Sequence, residues 1–185
     1  TTINARAETA AEKPLYKGAL ARSRCVVPVS GFYEWQRADR EGGVKQPWYL
    51  ERADGAVMLL AGLWSPGGGG GERAEAENGG VAGERCTGSF ALVTCAANAF
   101  MSALHDRMPV VLEPEDAPAW LGASGAAEVA ALMRPAADGM LTGRRVSRRV
   151  NSPRNNDAAL LSAADDEPGA GGGGGGRGVP RARGE

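Results

Sequence analysis

Four short stretches place polar groups where a plain strand or helix pattern has no need of them. In Asn4-Ala5-Arg6-Ala7-Glu8 the polar residues alternate, so an extended chain turns Asn4, Arg6 and Glu8 toward one side. In Gly31-Phe32-Tyr33-Glu34-Trp35 a carboxylate stands between aromatics. Burial there raises a carboxyl pKa and suits Glu34 to general acid/base work. Thr94 lies near the end of an apolar run, where functional groups are commonly carried. His105-Asp106-Arg107 gathers the only histidine of the chain with an acid and a cation. Imidazole ionises closest to neutral pH, so this group could move a proton. Each stretch also has a plainer reading. Glu34 fits a surface charge between two core aromatics, and His105 fits a structural imidazole bonded to Asp106 or to backbone. Arg6 and Glu8 fit an exposed ion pair worth little, and Thr94 and Cys95 fit ordinary strand residues.

The elements that must position these groups are mostly strands. Residues 25–35 are β-branched and aromatic and predict two strands separated by a kink at Ser30-Gly31. Residues 46–52 and 57–64 predict two more strands, with the hairpin-type turn signal Ala53-Asp54-Gly55-Ala56 between them. Residues 89–98 predict a strand and 98–105 a short helical turn with Asn98 as its cap. A strand bounded by prolines follows at 108–114, then helices over 115–123 and 126–135 and a late strand within 141–151. The fold class is α+β on an antiparallel or mixed sheet.

The chain has 185 residues and a formal net charge of −1, which suits one domain without a global basic field. Local basic stretches at 19–25 and 143–154 leave room for one basic groove. Glycine-rich stretches at 65–85 and 165–185 offer no side chains to bury, and predict an expanded loop within a domain over 1–162 and a disordered tail from 163. The three cysteines, Cys25, Cys86 and Cys95, form no Cys-x-x-Cys pair. Their spacing suits neither a metal site nor a disulfide framework, so a reducing intracellular setting without metal is expected. No apolar run is long enough for a membrane span.

The ordered set "NARAET", "RCVVPVSGFYEWQR", "KQPWYL", "AGLW", "LVTCAANAFMSALHDRMPVVL" and "VNSPRNND" closely resembles the SRAP family, the SOS-response-associated peptidases. The resemblance runs from about residue 3 to 161. It implies a curved, barrel-like sheet with short flanking helices and a groove for single-stranded DNA containing abasic sites. It implies a damage-response protein, a monomer without cofactor, located with DNA inside the cell. Members of the family join the open-chain sugar aldehyde to an N-terminal cysteine, whose amine and thiol close a thiazolidine ring. Carried onto this chain, the resemblance makes Asn4 the residue that orients the crosslink and Glu34 the group that moves protons at amine and sugar. His105 then works on the sugar oxygen and the imine-like intermediate. Arg6, Arg107 and Thr94 line the phosphate track, and Trp35 stacks or wedges against a base.

In the family the nucleophilic cysteine lies well before the Asn-Ala-Arg motif, whereas this sequence starts three residues before it. The expectation is therefore a chain without its nucleophile and without its first strands. Cys25, Cys86 and Cys95 carry no free amine, and Thr1, which does, stands at a mid-chain position of the family. Whether the chain acts as an enzyme stays open. A DNA-binding module without covalent chemistry and a thiol peptidase are the rival readings, although no Cys/His/Asn arrangement supports the second.

Overall fold

Strands that follow one another in sequence are divided between two sheets. The computed structural model describes residues 3–36, 43–66 and 88–164. The glycine-rich stretches lie outside these apart from their edges, as do Thr1 and Cys86. Among the described residues the first sheet contains β1 (Asn4–Arg6), β2 (Arg24–Val29), β5 (Met58–Ser65), β6 (Ser89–Ala96), β7 (Arg107–Pro109) and β8 (Val111–Leu112). Its path runs β1-β6-β5-β2, with β7 on β6 and β8 on β5. β1 lies parallel to β6 and the other pairs are antiparallel. The second sheet is β3 (Phe32–Gln36), β4 (Gln46–Arg52) and β9 (Leu141–Arg145), antiparallel throughout. The helices are α1 (Pro14–Arg22), α2 (Ala99–Ser102), α3 (Asp116–Gly122) and α4 (Ala126–Leu132). The α+β class expected from the sequence is the class found.

Ser30-Gly31 is the crossing between the sheets. The predicted kink is there, and the packing explains why it needs glycine. A Cβ on Gly31 would sit against the Leu50 carbonyl oxygen and 2.5 Å from the Tyr49 ring. The Ala53–Ala56 turn departs from expectation. It joins β4 to β5, but these strands do not pair, so the turn is a second crossing and not a hairpin. Asp54 shapes it: its carboxylate accepts the Ala56 N–H at 3.0 Å and binds Arg52 at 2.7 Å, while Gly55 takes φ +74°. A side-chain-bonded turn of this kind aims the exit without a two-residue hairpin's return.

The strand expected at 108–114 divides at Val110. The Val110 N–H donates to Val93 on β6 at 2.8 Å, and its carbonyl accepts from Ala61 on β5 at 3.0 Å. The segment thus passes from one neighbour to the next. The late strand stops at Arg145; Ser147 then caps a 3-10 turn at Arg148–Asn151 by accepting the Arg149 N–H at 3.2 Å. The segment expected to be a tail from 163 still bridges to the fold at first, where Ala163 pairs with Val146.

Helix α1 has little signal in the sequence, because it lacks a broad apolar stripe. Pro14 opens it, and Tyr16 and Leu20, one turn apart, are its buried residues. Arg24 donates to the Leu20 carbonyl at 2.7 Å and also to that of Trp120, tying α1 and α3 to the start of β2. The Trp120 indole N–H returns the link to the Cys25 carbonyl at 2.9 Å. The fully buried core includes Trp120, Leu50, Met58, Met101, Met108 and Val110. Among the described residues no helix is long and apolar enough to cross a membrane.

Gly31→Ala tests the crossing. Backbone and a packed ring would have to move to admit one methyl group. We expect a loss of about 1–3 kcal/mol, read as a lower denaturation midpoint at unchanged slope.

Candidate functional site

Between the two sheets lies a cleft of about 480 Å³. Six of the seven residues singled out in the sequence line it: Asn4, Arg6, Glu34, Thr94, His105 and Arg107. Phe32, Leu60, Leu92, Met108 and Pro109 give it an apolar floor. These apolar residues carry no polar signal in sequence; strand parity with the polar ones points to Phe32, Leu92 and Pro109.

The first sheet supplies one wall through its register. Asn4 pairs with Leu92 and Arg6 with Thr94, so all four project from one face. Ala5, between them, is buried on the other. The alternation read from the sequence therefore holds for Asn4 and Arg6. Glu8 lies past the strand end, in a turn, and its partner is not Arg6. Arg107 grips Glu8 in a bidentate pair at 2.7 and 2.9 Å and also donates to the Thr94 carbonyl at 2.6 Å. This grip holds the Glu8 carboxyl below its ordinary value of 4.5, with Arg107 hydrogen bonding as the first cause. The Tyr16 hydroxyl donates to the Asn4 carbonyl at 3.0 Å and fixes the other end of β1. The side chain of Arg6, by contrast, is exposed and makes no hydrogen bond or ion pair with a described residue. Next to it a second hollow, lined by Asn4, Arg6, Lys13, Leu15 and Tyr16, extends the cleft along α1.

The second sheet supplies Glu34. It is half-buried, so the full burial on which a simple acid/base reading rests is not met. Its Oε1 accepts the Trp35 backbone N–H at 2.9 Å. Trp35 does not line the cleft. It is one residue from Glu34 on a strand and so turns to the opposite face, where its indole N–H donates to Asn151 at 2.7 Å.

His105 enters at the exit of α2. Asn98 caps that turn as expected, accepting the Met101 N–H at 2.9 Å, and the His105 N–H closes on the Met101 carbonyl at 2.8 Å. The imidazole is one-third exposed. Its Nδ1 accepts the Arg107 N–H at 3.0 Å and lies 3.1 Å from the Asp106 carboxylate. One nitrogen cannot serve both at once. In the neutral ring the lone pair takes the N–H, which puts the proton on Nε2. A protonated Nδ1 would turn instead to Asp106. The structural contacts thus occupy Nδ1 and leave Nε2 for a ligand. Among the described residues no group of three or more His, Cys, Asp or Glu side chains is placed to hold a metal ion.

Comparisons with known proteins bear on the family and the fold. The family model described as SOS response associated peptidase (SRAP) matches residues 1–153. The abasic site processing protein YoaM of Bacillus subtilis is 34% identical over 161 residues, covering 84% of this chain and 63% of that protein. The abasic site processing protein HMCES of Xenopus tropicalis is 32% identical over 179 residues, covering 84% of this chain and 48% of that protein. The chain therefore spans less than two thirds of either relative. A crystal structure of a protein from Bacteroides thetaiotaomicron superposes with a TM-score of 0.71 at 26% identity, covering 88% of this chain and 66% of that one.

The Glu8–Arg107 pair has a testable pH signature. A carboxyl with a lowered folded-state pKa stabilises the fold fully above its ordinary value, and that stabilisation is lost as pH falls through the folded value. Glu8 is half-exposed, so screening limits the effect. Glu8→Gln should cost under about 1 kcal/mol at neutral pH. Denaturation across pH should show the gap between variant and parent closing below pH 4.5.

Proposed function

We propose, for a chain that belongs to the SOS response associated peptidase (SRAP) family and carries this cleft, that it binds single-stranded DNA at abasic sites and acts on the open-chain sugar. The observation that carries the reading is the convergence of Asn4, Arg6, Glu34 and His105, from both sheets, on one half-open cleft. The names of the relatives support abasic sites as the target.

The roles follow from the groups. Arg6 has a free guanidinium and takes a phosphate oxygen beside the lesion. The terminal nitrogens of Arg107 are already taken by Glu8 and Thr94 and its Nε is buried, so it meets DNA only by sharing its donors, and its main part is to hold the wall. Asn4 offers an amide to orient the sugar. Glu34 accepts a proton from an attacking amine and returns it to the departing water as carbinolamine becomes imine. His105 in its protonated form, with Nδ1–H turned to Asp106, gives its Nε2 proton to the sugar ring oxygen as the anomeric hydroxyl loses its own proton to water and the aldehyde opens; the neutral ring takes the proton back on reversal.

The covalent step needs a thiol and a free amine on one residue. Neither described thiol suits it. Burial raises the Cys25 thiol above its ordinary range and pushes that of Cys95 up to about 11. Little thiolate forms at neutral pH, and both cysteines sit within strands without a free amine. The same chemistry weighs against a thiol peptidase. The resemblance to the family implies an N-terminal cysteine as the residue that supplies both groups. Its amine, with a pKa of about 7.7–8.0, is partly neutral at physiological pH and can attack an aldehyde. Amine addition, loss of water and thiol addition across the imine then close a thiazolidine.

Arg6→Ala should weaken binding to single strands of every sequence and lower the salt slope by about 0.7 for each phosphate that Arg6 neutralises in the parent. Glu34→Gln, in a chain carrying the terminal cysteine, should slow adduct formation by about 10²-fold or more while leaving affinity for intact single strands unchanged. Salt titrations and denaturing gels read the two effects. An Arg6→Ala slope equal to the parent's would remove this residue from the interface, and a loss of plain DNA binding in Glu34→Gln would make Glu34 structural.

A further inference from the structure

Beyond the cleft lining, the sheet face that carries Glu34 holds a cation that the motifs do not mark. In the second sheet Glu34 pairs with Trp48, and Trp48 pairs with Arg145. Residues directly opposite in a sheet share a face, so these three form one row across it. Two contacts confirm the shared face. The Arg145 guanidinium lies over the Trp48 ring, 5.6 Å from its centre, and the Trp48 indole N–H donates to Gln36, of the same parity as Glu34, at 3.1 Å.

Arg145 is unspent, as is Arg148 in the 3-10 turn beyond it, but of the two only Arg145 lies in the row with Glu34. Arg144 projects from the opposite face, where it binds Glu51, the Leu161 carbonyl and the Tyr49 ring. Arg149 is paired with Asp157. Arg145 is exposed and has no ion pair or hydrogen-bond partner for its side chain among the described residues. A guanidinium stacked on an indole keeps its N–H edge free and loses little side-chain freedom on binding a ligand. A fixed planar fork of this kind suits a phosphate group.

We infer that Arg145, seated on Trp48, is a second phosphate-binding residue, which holds the DNA strand on the side of Glu34 opposite to Arg6. This rests on the single-strand reading above. Two strand spacings, about 10 Å, separate Glu34 from Arg145 along the row. A sugar placed at Glu34 and His105 then has Arg6 on the first sheet and Arg145 on the second to take its flanking phosphates. The pair fixes the path of the strand across the cleft, where Arg6 alone would fix one point.

The test is a salt titration of binding to a single-stranded oligonucleotide carrying a reduced abasic site. Arg145→Ala should weaken binding severalfold and lower the salt slope by about 0.7. Arg145→Gln, which keeps the stem that packs on Trp48, should do the same should Ala disturb the sheet. Arg145→Lys should retain the slope. Arg134→Ala removes a charge that is paired with Asp116 and should leave the slope unaltered. Binding and slope like the parent's in both Arg145→Ala and Arg145→Gln would overturn this inference while leaving the single-strand reading intact. A loss in Arg134→Ala equal to that in Arg145→Ala would overturn it too, since the effect would then be one of net charge. Failure of the parent chain to bind any single strand would overturn both.

Discussion

The bidentate grip of Arg107 on Glu8 is the joint on which the cleft depends. β1 is three residues long and lies at the edge of its sheet, yet it presents Asn4 and Arg6. So short a strand has few ladder bonds with which to hold its position. Arg107 fastens the turn after it to β6 through Glu8 and Thr94, and Tyr16 pins the Asn4 carbonyl from α1. The Arg107 backbone N–H also holds the ring of His105 by Nδ1. One residue thus fixes the strand that offers the amide and the cation, and orients the imidazole that faces them. The cost is that the terminal nitrogens of Arg107 are taken, and the one donor without a partner, Nε, is buried.

The division of strands between two sheets does the rest. Glu34 is far in sequence from His105, and the crossing at Gly31 puts them on opposite walls of one space. On β1 and β6 the cleft-lining residues come at every second position, Asn4 and Arg6 beside Leu92 and Thr94. The result is a cleft with an apolar floor and a rim of Asn, Arg, Glu and His. In the function proposed, such a rim pairs a phosphate with the exposed Arg6 while a proton donor and acceptor stand at the sugar.

Much of this is legible in the sequence, for identifiable reasons. The alternation at Asn4 and Arg6, the Asn98 cap and the Ser30-Gly31 kink are local signals, and each has the expected structure. What stays hidden depends on pairing over long separations. Sequence proximity joins Glu8 to Arg6, but its partner is Arg107, reached only once β1 lies on β6. Ala53–Ala56 has hairpin composition, and only sheet membership shows that its flanking strands part. Trp35 follows Glu34 on β3, and its indole meets Asn151, a contact that only the folded chain shows. Arg145 sits in a run of arginines that sequence cannot rank; the sheet register decides which of them shares a face with Glu34.

His105 is the only histidine in the chain, so its imidazole signals can be followed by magnetic resonance without ambiguity. The account holds that Nδ1 is occupied by the protein and that Nε2 meets the sugar of an abasic site. The direct measurement is the response of the ring 15N resonances to a single strand carrying an abasic site and to an intact strand of the same sequence. The account predicts a large shift at Nε2 with the abasic strand only, and Nδ1 nearly still. Equal shifts with the two strands, or none with either while the DNA is bound, would contradict it.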